Sequence, residues 1–172
     1  MALLLGNAFA RPAAILFDVD GTLLAIEADA AFAVFEKTYR QFMDSFPGRR
    51  RPARLRRRDT KLAVMTNGDL EQQTATLQAA GLGLHFRQVF ASGDIGHIKP
   101  RPAPSLVSCA PLGVAPSRCA CIGDSRDTDV RGSAEAGLMS TWLNRDGSRN
   151  AAVDVGFRVI HSLDELLDLM TG

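Results

Sequence analysis

Long apolar runs are missing from this chain of 172 residues, and lysine and cysteine are scarce in it. No stretch approaches the roughly 20 apolar residues that a membrane-spanning helix needs, so none is expected. The start, MALLLGNAFARPAA, offers a three-leucine patch with no basic segment before it. It reads poorly as a secretion signal, and the expected location is the cytoplasm. The three cysteines, Cys109, Cys119 and Cys121, are an odd number and sit in no CxxC or histidine-spaced metal pattern. They read as reduced, small apolar residues. No internal repeat occurs, and the only compositionally biased stretch is rich in arginine. What remains, 46% hydrophobic and 23% charged residues, is the composition of one packed domain, with room for a small appendage, and excludes a wholly disordered chain.

Charge is unevenly spread. The net charge is +1, yet residues 49–58, RRRPARLRRR, hold seven arginines, so the rest of the chain carries −6. A block of this kind can bind nucleic acid or an anionic substrate, or can be a solvated connection.

Short apolar runs alternate with longer amphipathic ones. Ala13–Phe17, Leu62–Met65, Gln88–Ala91, Cys119–Ile122 and Met139–Leu143 read as buried strands, with Phe157–Ile160 as a sixth at the edge. Leu70–Ala80 reads as a helix stopped by Gly81, Asp127–Ala136 as one ending at Gly137, and Ser162–Met170 opens on the cap signature Ser162-Leu-Asp-Glu165. Strand and helix in alternation mean an α/β chain with a doubly wound, Rossmann-like parallel sheet. Three of the strands run directly into polar clusters: Asp18-Val-Asp20-Gly21-Thr22, Thr66-Asn67-Gly68-Asp69, and Gly123-Asp124-Ser125 with Asp127 and Asp129. In such a sheet the ligand lies beyond the carboxyl ends of the strands, which makes these clusters one candidate site.

The residue types suit phosphate chemistry. Asp18 and Asp20, two apart in extended chain, would face one pocket, and Asp124 would join them. Converging carboxylates repel unless a cation intervenes, and Mg2+ is the hard, oxygen-ligated ion that suits a phosphate site. Each aspartate taken singly is equally a turn former or helix cap. Thr66 and Asn67 offer a hydroxyl and an amide at a helix start, where phosphate binds readily. Lys99, one of three lysines, is followed by stiffening prolines at 100 and 102, although a lone lysine is more often a surface charge; Arg101 and His97 read as surface residues.

Phe17-Asp-Val-Asp-Gly-Thr-Leu23 resembles the first motif of the haloacid dehalogenase (HAD) superfamily, Met65-Thr-Asn-Gly68 the second, Lys99-Pro100 the third, and Gly123-Asp-Ser-Arg-Asp-Thr-Asp129 with Ala134-Glu-Ala-Gly137 the fourth. The resemblance implies strand order 3-2-1-4-5 and a phosphatase, since the dehalogenases lack an acid at the position of Asp20. It implies Asp18 as nucleophile and Asp20 as general acid and base. Mg2+ would be held by Asp18, the backbone carbonyl of Asp20 and Asp124, with Asp129 behind it and Asp127 ranked below Asp129. Thr66, Asn67 and Lys99 would bind the phosphoryl group of a small phosphorylated metabolite or nucleotide.

The pattern departs from the family between the first two motifs. Residues 1–23 and 53–172 would form the catalytic core, which leaves only 24–52 for a minimal helical cap insertion. Glu27–Phe46 reads as one helix with an aromatic stripe, ended by Pro47-Gly48. The region after Lys99, Pro102-Ala-Pro-Ser-Leu106, also drifts, and Thr141–Gly147 looks like the sugar-phosphate and nucleotide phosphatase branch. The competing reading is a protein that docks on nucleic acid or phosphoproteins through Arg49–Arg58 and keeps a vestigial or truncated core. Nothing in the sequence specifies an oligomeric state.

Overall fold

The computed structural model describes residues 12–24, 60–147 and 156–166. The expected cap helix Glu27–Phe46, the arginine block 49–58, nearly all of the 24–52 insertion and the end of the Ser162–Met170 helix lie outside these residues. Six parallel strands form one sheet: β1 (Ala14–Phe17), β2 (Lys61–Thr66), β3 (Val89–Ala91), β4 (Cys119–Gly123), β5 (Met139–Leu143) and β6 (Arg158–Ile160). Their order is β3-β2-β1-β4-β5-β6, the expected order with the sixth strand at the edge. No helix among the described residues is long and apolar enough to cross a membrane.

β1 is central because its side chains are apolar on both faces. Ile15 and Phe17 join one core layer with Val64, Ile122 and Leu143, whereas Ala14 and Leu16 join the other with Ala63, Met65, Cys119 and Cys121. Alternate residues of one strand must point to opposite faces, so a strand covered on both sides has to be apolar throughout. Ala14 pairs with Lys61 on one side and Cys119 on the other. The three cysteines are buried and free, in keeping with their reading as small apolar residues.

Helix α1 (Leu70–Ala79) packs Leu77 into the first layer. Asp69 caps it by accepting the Gln72 N–H at 3.0 Å. Gly81, at φ 71°, lets the Leu82 N–H reach the Leu77 carbonyl at 2.8 Å, a closing bond that favours glycine at this left-handed position. A short turn, α2 (Ser92–Ile95), follows β3, and α3 (Ala103–Leu112) covers the second layer through Cys109 and Leu112. Helix α3 was not expected from the sequence. Pro102 and Pro104 mimic a loop, but at a helix start a missing N–H costs nothing. The expected helix Asp127–Ala136 is a π-helical turn, Arg126–Arg131, running into one α turn, α4 (Gly132–Glu135). After β6, Glu165 accepts the N–H groups of His161 and Ser162 at 2.9 and 3.1 Å, as the cap signature implied.

Candidate active site

At the carboxyl edge of the sheet the ends of β1, β2 and β4 converge. Asp18 follows β1 directly and is held there by its N–H bond to the Ile122 carbonyl at 2.9 Å. Lys99 reaches in from the loop before α3. Its Nζ lies 2.6 Å from both Asp18 Oδ1 and Asp129 Oδ1 and 3.1 Å from the Met65 carbonyl, so all three ammonium protons are used. Lys99 is only 6% exposed, which overturns its reading as a surface charge. Burial opposes its charge, yet the two carboxylates outweigh that effect and raise its pKa above the ordinary value. Burial pushes the Asp18 carboxyl up to about 6, with Lys99 opposing and Asp129 adding to the rise.

Asp18, Asp124 and Asp129 each bring a carboxylate oxygen within 4.8 Å of the others. Burial, and then Asp129, raise the pKa of Asp124 as well. Three hard oxygen donors that crowd one another, one of them exposed, fit a divalent cation such as Mg2+. Asp20 is exposed, and the trio does not include its carboxylate; the metal ligand expected of this residue is its backbone carbonyl. The backbone turns here. β1 ends at Phe17, and the Val19 carbonyl then accepts the N–H groups of Leu23 and Leu24 at 2.9 and 3.0 Å, so the chain turns and the two-residue alternation of an extended strand no longer applies. Asp129 also stands further in than expected. It is ion-paired with Lys99, and its Oδ2 accepts the Ser125 N–H at 3.0 Å.

Close backbone approach makes this packing fit. A Cβ on Gly123 would sit 2.2 Å from the Asp129 side chain, and one on Gly21 would sit 2.2 Å from Asp124 Oδ2. Thr66 is buried, and its hydroxyl donates to the Asn67 carbonyl at 3.3 Å. The Asn67 amide grips the Lys99 backbone at two points: Oδ1 accepts its N–H at 3.0 Å and Nδ2 donates to its carbonyl at 3.3 Å. Asn67 therefore sets the height from which Lys99 enters the site. Arg101 and His97 are exposed, as expected.

Two residues on or just beyond β5 were missed as site residues. Trp142 Nε1 donates to the Asp124 carbonyl at 2.8 Å, and the Arg145 guanidinium donates to the carbonyls of Gly21 and Thr22. A signal was present: Asn144-Arg145-Asp146-Gly147 is a fourth polar cluster directly after a strand, like the three that were singled out. A buried carboxylate paired with a buried lysine, and sharing with Asp124 and Asp129 a cluster of the kind that fits a divalent cation, is an arrangement suited to attack on a phosphorus or carbon centre.

A model of the haloacid dehalogenase-like hydrolases matches residues 50–137, just over half of the chain. A phosphoserine phosphatase of Thermus thermophilus is 41% identical over 93 residues, 54% of this chain and 37% of that protein. The N-acylneuraminate-9-phosphatase of Homo sapiens is 35% identical over 92 residues, covering 53% and 37% respectively. The chain thus spans little more than a third of the length of these curated relatives. A crystal structure of a HAD phosphatase from Thermococcus onnurineus matches 92% of this chain and 98% of its own with a TM-score of 0.69 at 26% identity. The L-2-haloacid dehalogenase RSc1362 shares the fold at the same TM-score of 0.69 with 15% identity.

Proposed function

The chain belongs to the haloacid dehalogenase-like hydrolases, and from that premise we propose that it is a Mg2+-dependent phosphomonoester hydrolase working through an aspartyl-phosphate. The observation that carries this reading is the Lys99–Asp18 pair at 2.6 Å beside the carboxylates of Asp124 and Asp129, with a second acid, Asp20, one turn on. The phosphatases matched above favour a small phosphorylated metabolite or nucleotide as substrate over a haloacid.

In this reading an Asp18 oxygen attacks phosphorus and the bond to the leaving oxygen breaks, while Asp20 gives that oxygen its proton. Water then attacks the phosphorus of the aspartyl-phosphate, Asp20 takes a proton from it, and phosphate leaves with Asp18 restored. Asp18, the Asp20 carbonyl and Asp124 would hold Mg2+, which when bound neutralises phosphate charge and lets the anionic nucleophile approach. Lys99 keeps Asp18 ionised and oriented; to touch a phosphoryl oxygen it must give up one of its three present partners. The Thr66 hydroxyl, whose present bond at 3.3 Å is long, is free to turn towards the phosphoryl group, and the second N–H of Asn67 Nδ2 would assist.

The test is hydrolysis of p-nitrophenyl phosphate with Mg2+ or EDTA, by the wild type and by Asp18→Asn. The near-isosteric amide cannot act as nucleophile, so the variant should keep its circular dichroism and lose turnover. Substantial hydrolysis by Asp18→Asn, or full activity in EDTA, would sink the assignment.

A further inference from the structure

We propose that Arg145 is a positioning residue of this reaction, tying the turn that carries Asp20 to the loop that carries Asp124. The proposal rests on the phosphatase reading. Arg145 lies just past β5, away from all four recognised motifs. Its Nη1 donates to the Gly21 carbonyl, and its Nη2 to the Thr22 carbonyl at 2.7 Å. The planar fork of a guanidinium spans two adjacent carbonyls in a way that the single ammonium of lysine does not.

The turn so gripped continues into the metal cluster. Thr22 Oγ1 accepts the Asp124 N–H at 2.9 Å and faces Asp124 Oδ1 at 3.4 Å. From the other side Trp142, itself on β5 and in register with Gly123, holds the Asp124 carbonyl at 2.8 Å. Gly21 packs so closely on the Asp124 carboxylate that a side chain there would meet Oδ2 at 2.2 Å. One end of β5 therefore fixes both loops against each other, and Asp20 immediately precedes the residues that Arg145 holds. Releasing the fork loosens the acid and the metal carboxylate together.

Charge and position act in opposite directions on the metal. Loss of a nearby cation alone would leave Mg2+ bound as tightly or more tightly, because Arg145 repels it; loss of position weakens it. Arg145→Met in the full chain should therefore raise the Mg2+ concentration needed for half of the Mg2+-induced rise in melting temperature by about 10- to 100-fold, the usual cost of removing a support behind a metal ligand. Arg145→Lys keeps the charge and loses the fork, and should lie nearer to the methionine variant than to the wild type. In kinetics, Arg145→Met should lower kcat/KM for an alkyl phosphate about tenfold more than for p-nitrophenyl phosphate, whose leaving oxygen needs little of the proton that Asp20 supplies.

Wild-type Mg2+ affinity or tighter in Arg145→Met, or an unchanged ratio between the two substrates, overturns the proposal. If Arg145→Met does not fold, Arg145→Lys carries the same two readouts. If the wild type hydrolyses neither phosphate, the proposed activity falls while the Mg2+ titration still decides the role of Arg145.

Discussion

In the proposed mechanism Asp18 is the nucleophile, and it is buried in a place that favours its proton. Burial raises its carboxyl from 3.8 to about 6, so the native state binds the Asp18 proton more tightly than the unfolded chain does. Between about pH 4 and 6 this group therefore costs the metal-free protein stability as pH rises. Lys99, also raised, acts in the same direction but in a higher window: its contribution is complete below 10.5 and is lost only as pH climbs beyond that. Mg2+ competes with the Asp18 proton, so the Mg2+-induced rise in melting temperature should grow from pH 5 to pH 7. A shift independent of pH would show that the ion binds elsewhere. Asp20, exposed and outside the carboxylate trio, has a different signature. Asp20→Asn should lower kcat by roughly 10²–10⁴-fold, most strongly for alkyl phosphates, and equal losses for alkyl and nitrophenyl esters would make Asp20 merely structural.

The elements serve as rigid mounts for these residues, and the tightest mount is the contact between α4 and the loop before α3. A Cβ on Gly132 would stand 2.0 Å from the Pro100 carbonyl oxygen and 2.7 Å from its carbon, and backbone cannot swing aside as a side chain can. Gly132→Ala should cost about 1–3 kcal/mol in urea unfolding and, because Pro100 adjoins Lys99, should lower kcat as well. At Gly137 nothing lies within 4 Å and only its φ of +82° resists a side chain, so Gly137→Ala should cost stability alone. Much of this scaffold was legible beforehand: strands buried on both faces announce themselves as unbroken apolar runs, and the polar clusters behind β1, β2 and β4 mark the site's edge. The misses share a cause, since each depended on context that a local pattern lacks. Helix α3 hides behind prolines that are harmless at its start. Arg145 sits in a polar cluster directly after β5, yet the carbonyl oxygens that it grips carry no signature in a side-chain pattern.

At the scale of the whole molecule, charge is divided between seven arginines at 49–58 and a remainder of −6. If the cationic segment draws anionic substrates in, replacing Arg49, Arg50, Arg51 and Arg54 by Ser should raise KM with little change in kcat. The difference should fade as salt shortens the Debye length from about 10 Å at 0.1 M to about 3 Å at 1 M. A steeply salt-dependent affinity for DNA or RNA that vanishes in the same variant would favour nucleic-acid docking instead. The route of the chain around this segment has its own consequence. Leu24 departs at the carboxyl edge, whereas Thr60 rejoins at the opposite edge, where its hydroxyl donates to the Pro12 carbonyl at 3.0 Å and the Lys61 N–H to the Ala13 carbonyl at 3.0 Å. Leu24 is held in the turn after β1, where its carbonyl accepts the Gly21 N–H at 2.9 Å and its own N–H bonds to the Val19 carbonyl at 3.0 Å, so both junctions are fixed by described residues. For a lineage under selection, the stretch from 25 to 59 can thus be exchanged between two fixed points while the mounts of Asp18, Lys99 and Asp124 stay as they are.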